Sequence, residues 1–154
     1  MKQQFTLRIS QANETQMVVI LYEMMLCYLD EAGKAGEKEN RPEFLEGIRK
    51  SRACLLELMN SLDYKYAPAL QLRELYWYCL RMLARAEGKG SVDFLGDVER
   101  VIAPLHDAYL QIAPQNTKGP VMNNSQTVYA GLTYGRNTLT ENMTDQGANR
   151  GMRV

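Results

Sequence analysis

The stretch MVVILYEMMLCYL, Met17 to Leu29, decides how this chain is read. It holds one charge, Glu23, in thirteen residues. A bilayer-spanning helix needs about 20 apolar residues, so the run is too short to cross a membrane. As a helix it puts Met17, Ile20, Leu21, Met24 and Tyr28 along overlapping stripes. Val18, Val19, Tyr22, Met25, Cys27 and Leu29 then carry apolar surface round nearly the whole circumference. A bundle helix needs a stripe only about 100° wide or slightly more. The excess has two readings. It is a surface kept for a partner, or another part of the chain, the N-terminal segment or the tail, lies over it.

Working outward, four segments show apolar residues at helical spacing. The first opens at Asn13, a good N-cap, with Glu14 in the first turn where the helix dipole favours an acid. It is expected to end near Gly33, before the GKAGEKEN loop. The second opens at Arg41-Pro42, since proline is tolerated in a first turn, and turns Leu45, Ile48, Leu55, Leu58, Met59 and Leu62 inward. The third follows Pro68, with Leu72, Leu75, Tyr76, Cys79, Leu80 and Leu83 inside, and frays at Gly88–Gly90. Ser91 can cap the fourth, whose stripe is Leu95, Val98, Val101, Ile102, Leu105, Tyr109 and Ile112. Pro104 inside this last helix removes the donor for the Arg100 carbonyl, so a bend or break is expected there.

Helices of about 20 residues joined by short links make antiparallel neighbours. The expected fold is all-α, an antiparallel up-down four-helix bundle over residues 1–112. Residues 113–154 hold five of the eleven glycines and few large aliphatic residues. Such a segment cannot bury enough surface to fold alone, so it is read as a largely irregular tail, flexible or docked on the bundle. Within it Val128, Ala130, Leu132 and Tyr134 alternate like a strand, which suggests a segment that occupies an apolar face when no partner does.

The chemistry on offer is thin. Lysine plus arginine equals aspartate plus glutamate, 18 against 18, so nothing global favours nucleic acid or an acidic membrane. The first ten residues hold no apolar stretch long enough for a secretory signal, which points to the cytoplasm. With one histidine, His106, the chain lacks the two Glu-x-x-His pairs of a di-iron bundle. A zinc site would need Cys27, Cys54, Cys79 and His106 all to converge. None of these cysteines sits at a helix start or glycine turn that would lower its pKa, so reduced core thiols are expected rather than a nucleophile or a disulfide. No phosphate-binding glycine motif occurs. The reading is therefore not an enzyme, with no cofactor and no metal.

A second helix repeats the hydrophobic excess. Leu75, Tyr76, Trp77, Tyr78, Cys79, Leu80, Met82 and Leu83 again cover two faces. Large apolar patches mark partner sites, and methionine and tyrosine suit them, one by adapting its shape, the other by keeping a polar tip in water.

Several motifs together resemble the flagellin-specific export chaperone family, FliS. Its first bundle helix typically reads Thr-Ala-Ser-Pro-Glu-Glu-Leu and then Met-Leu-Tyr-Asp-Gly. This chain has Gln11-Ala12-Asn13-Glu14-Thr15-Gln16-Met17 and then Ile20-Leu21-Tyr22-Glu23-Met24. The family's Ser-Leu-Asp is similar to Ser61-Leu62-Asp63, and its Asn-Leu-x-x-Leu-Tyr-x-Tyr to Gln71-Leu72-Arg73-Glu74-Leu75-Tyr76-Trp77-Tyr78. Its Ala-Trp near the end of the fourth helix becomes Ala108-Tyr109. Departures fall at Asn13-Glu14, Glu23-Met24, Tyr66 and Pro104.

The resemblance implies a cytoplasmic chaperone. It would bind the disordered C-terminal segment of flagellin, prevent premature polymerisation, and work beside other flagellar export or assembly proteins. The partner-binding residues expected are Leu21, Tyr22 and Met25 on the first helix and Leu75, Tyr76, Cys79 and Leu80 on the third. A helical-bundle adaptor that pairs its apolar face with its own copy is the alternative.

Overall fold

The computed structural model describes residues 2–116 and 118–120, and every described element is helical. Five α-helices follow one another: α1 (Lys2–Gln11), α2 (Glu14–Glu37), α3 (Arg41–Asn60), α4 (Ala69–Lys89) and α5 (Asp93–Ile112). A single 3-10 turn, Ala113–Gln115, ends the series. Four helices were expected; α1 is the addition. The strand-like segment at 127–135 lies outside the described residues. Among the described residues no helix is long and apolar enough to cross a membrane.

Local chemistry accounts for the boundaries. Asn13 caps α2 through a capping box: its Oδ1 accepts from the Gln16 backbone, and the Gln16 side chain accepts from the Asn13 backbone. Past the expected stop at Gly33, α2 runs on to Glu37 and closes with Glu39 at positive φ, 56°, while Asn40 N–H donates back to the Ala35 carbonyl. Gly36 is in the helix for packing, not to end it. A Cβ there would stand 2.4 Å from Val92 Cγ1 and 3.1 Å from the Phe44 ring. α3 opens with Pro42 in its first turn, and α4 ends at Gly90 in the left-handed region, φ 63°.

At α5 the expectation needs two corrections. Ser91 is not the N-cap residue; Val92 is, though Ser91 Oγ still accepts from Asp93 N–H at 3.2 Å. Of the bend or break expected at Pro104, the break does not occur: the helix runs on through it. Pro104 and Arg100 both face solvent, so water can satisfy the carbonyl that the proline leaves without a donor.

α2 packs against α3 and α5, and α4 packs against the same two helices. α1 lies on α2, with Phe5, Ile9 and Ala12 buried. α2 and α3 pack tightly at Gly47, where an added Cβ would meet Ala32 Cβ at 2.7 Å and the Tyr28 carbonyl at 3.0 Å. Only a residue without a side chain lets these backbones approach so nearly. The core runs along α2, through Ile20, Leu21, Met24 and Met25, to Ile48, Leu55, Leu83, Val98 and Ile102 on its neighbours.

Candidate partner-binding surface

Most of the apolar excess on α2 is used up inside the protein. Val19, Ile20, Tyr22, Met24, Met25 and Leu29 are all buried. α1 covers the face that a bundle helix would leave over. The one charge of the run, Glu23, is tied on both sides: Arg8 of α1 bonds Oε1, and His106 Nε2 of α5 lies 3.0 Å from Oε2. Burial pushes the Glu23 carboxyl up, but hydrogen bonds from Arg8 and His106 outweigh it and hold it below its ordinary value.

Of the residues expected at a partner surface, Leu21, Tyr22, Met25, Tyr76 and Cys79 belong to the core of this structure. Tyr22 and Tyr76 hydrogen-bond through their hydroxyls at 2.6 Å, and the Tyr109 ring meets Tyr22 edge-on at 5.6 Å. This triad pins α2, α4 and α5 together and satisfies the buried hydroxyls, which would be costly left bare. Burial pushes the Tyr76 phenol up to about 12, although the Tyr22 bond acts the other way, and burial pushes the Cys79 thiol up to about 12. Cys79 is therefore a neutral core thiol. Leu80 is half-buried, and Leu75 alone of the seven stands clearly in solvent, 37% exposed.

Two clefts flank the strap formed by residues 113–116 and 118. The larger, about 550 Å³, lies between α1, α2 and the end of α5. Its apolar walls are Val19, Ile20, Leu110, Ala113 and Pro114, and Arg8 and Gln11 give it polar edges. The smaller, about 290 Å³, opens at the end of the helices. Val18, Leu62, Leu72, Tyr109 and Ile112 line it, with Tyr66 at the rim and Tyr76 at the floor. Burial, then the proximity and hydrogen bond of Tyr66, push the Tyr109 phenol up to about 12. The strap is held by hydrogen bonds across more than a hundred residues. Asn13 Nδ2 donates to the carbonyls of Asn116 (3.0 Å) and Lys118 (3.3 Å), and Asn116 Nδ2 donates to Thr15 Oγ1 at 2.8 Å.

The last turn of α5 sits between the clefts, with exposed Leu110 on one and exposed Ile112 on the other. Sequence reading missed Tyr66, Leu110 and Leu70 as surface residues. Ile112 was placed on an inward stripe because periodicity cannot show where a bundle stops. The available signal was position: apolar residues in the last turn of one helix and the first of the next have no layer beyond them.

The described elements are thus all helical, with two apolar clefts beside the end of α5 and a buried tyrosine cluster behind one of them. The sequence model of the family described as flagellar protein FliS matches residues 1–116, and the chain belongs to that family. No curated protein matches the chain.

Proposed function

We propose that the protein is a cytoplasmic chaperone that holds the disordered C-terminal segment of flagellin, prevents its premature polymerisation and keeps it fit for export. Further flagellar export or assembly proteins would receive the pair. Family membership supports the flagellar setting. The observation that carries client binding is the pair of apolar clefts meeting at Leu110 and Ile112. An amphipathic segment that folds on binding lays its stripes into such grooves. Ordering it costs about 2–5 kcal/mol of the gross interaction, which calls for a broad apolar seat rather than a single pocket.

In this reading α2 to α5 form the antiparallel up-down four-helix bundle of a chaperone domain at 1–112, and 113–154 is a tail that begins as the strap. The closed series of neighbours α2, α3, α4 and α5 supports that arrangement. Tyr76 is the cleft floor, and Leu75 and Leu80 flank it on α4. Leu21, Tyr22, Met25 and Cys79 shape the seat from behind. Balanced charge supports a protein client over nucleic acid or membrane.

Calorimetric titration of the full chain with a synthetic flagellin C-terminal peptide tests the proposal. Leu110→Glu and Ile112→Glu leave the core untouched and should each weaken binding about tenfold or more, by setting a carboxylate against an apolar stripe. A wild-type chain that ignores the peptide removes flagellin as client. Wild-type affinity in both variants removes the clefts.

A further inference from the structure

α4 carries an outward face that the client clefts do not use. Leu70 and Trp77 stand 57% and 48% exposed, seven residues and so two turns apart on one side of the helix. Glu74 and Arg81, also exposed, bracket Trp77 on that side, three residues before it and four after. They lie about 10 Å apart along the axis, too far to pair with each other. Neither joins an ion pair among the described residues. The Arg81 guanidinium rests over the Tyr78 ring, 5.9 Å from its centroid, which holds it beside the stripe.

The order acid, tryptophan, base along one helix face is self-complementary. Turn a second copy antiparallel about a two-fold axis at Trp77, and Glu74 of each chain comes opposite Arg81 of the other, twice. Trp77 meets its own copy at the centre. Leu70 falls on the second copy's Ala84 and Arg85, both exposed, where a small residue and an aliphatic stem leave room for it. A parallel pair would set Glu74 on Glu74 and Arg81 on Arg81, which like-charge repulsion disfavours.

We propose that this face of α4 binds a second copy of the chain, giving an antiparallel, two-fold symmetric dimer centred on Trp77. The contact is one helix face on another, below the roughly 1,200 Å² of a standard interface, so the dimer is weak and concentration-dependent. It goes beyond client capture and uses other residues.

Sedimentation equilibrium of the full chain over a wide concentration range tests it, with the emission of Trp77, the single tryptophan, read on the same samples. A reversible monomer–dimer equilibrium is expected, with emission moving to the blue as dimer forms. Glu74→Arg and Arg81→Glu should each weaken self-association about tenfold or more, because each sets like charges opposite one another. An equimolar mixture of the two variants should restore dimer, since both cross-pairs then have opposite signs. Circular dichroism checks that each variant keeps its helices. A monomer at every concentration, or a mixture no better than its components, overturns the proposal. So does truncation after Pro120 that shifts Trp77 emission at all concentrations without changing mass, which would make the chain's own tail the occupant.

Discussion

α2 and α4 look alike in sequence and end up in opposite situations. Both carry apolar residues on two faces. On α2 the second face is roofed by α1 and its lone acid is hydrogen-bonded by Arg8 and His106. On α4 one face is core, but Leu70 and Trp77 on the other meet no further helix among the described residues. Excess hydrophobicity therefore tells that something must cover a helix, and not whether the cover lies in the same chain.

Two adjacent residues on α4 put the contrast to its hardest test. Tyr76 is 1% exposed and bonded to Tyr22, whereas Trp77 is half in solvent. Tyr76→Glu should cost about 3–5 kcal/mol or more, since it removes a packed ring and buries a carboxylate without a partner. Trp77→Glu should change stability by only about 0.5 kcal/mol. Urea unfolding followed by circular dichroism checks both, and similar midpoints for the pair would erase the distinction. Next in size is Gly47→Ala. Its methyl would press on Ala32 and the Tyr28 carbonyl and should cost about 1–3 kcal/mol by prying α3 from α2. A neutral result would mean that the two helices stand further apart than described.

The smallest expected effect concerns the acid in the sealed run. The folded-state pKa of Glu23 lies below its unfolded value of about 4.5, so the charged carboxylate is favoured by folding. Its contribution is fully present above that pH and fades as pH falls through the folded value. Wild type should thus exceed Glu23→Gln in thermal stability at neutral pH, and the gap should shrink as pH falls below the unfolded value of about 4.5 and through the folded one. A gap that never shrinks on acidification would show that Glu23 does not act through its charge.

The bundle itself was legible because its signals are local. Asn13, Arg41-Pro42 and Gly90 carry their meaning in cap and turn chemistry, and the structure uses each accordingly. α1 was not legible. Lys2–Gln11 is short and mostly polar, and its few apolar residues gain meaning only when α2 lies beneath them. The same limit explains the site. Leu21, Tyr22 and Met25 were indistinguishable by pattern from a surface stripe, because periodicity does not show which face of α2 the neighbouring helices cover; Tyr22 is buried against Tyr76 of α4 and Tyr109 of α5. Pro104 teaches the converse. A breaker on the solvent side, with water beside the freed carbonyl, does not break a helix that the core holds on its other face.

Hydrogen exchange of the full chain with and without a flagellin C-terminal peptide tests the central claim most directly. The account predicts slow exchange across residues 20–29 in both states and new protection at 61–72 and 105–112, two of the segments that line the clefts. Protection confined to the outer parts of α3 and the second half of α4, or none anywhere, would contradict it.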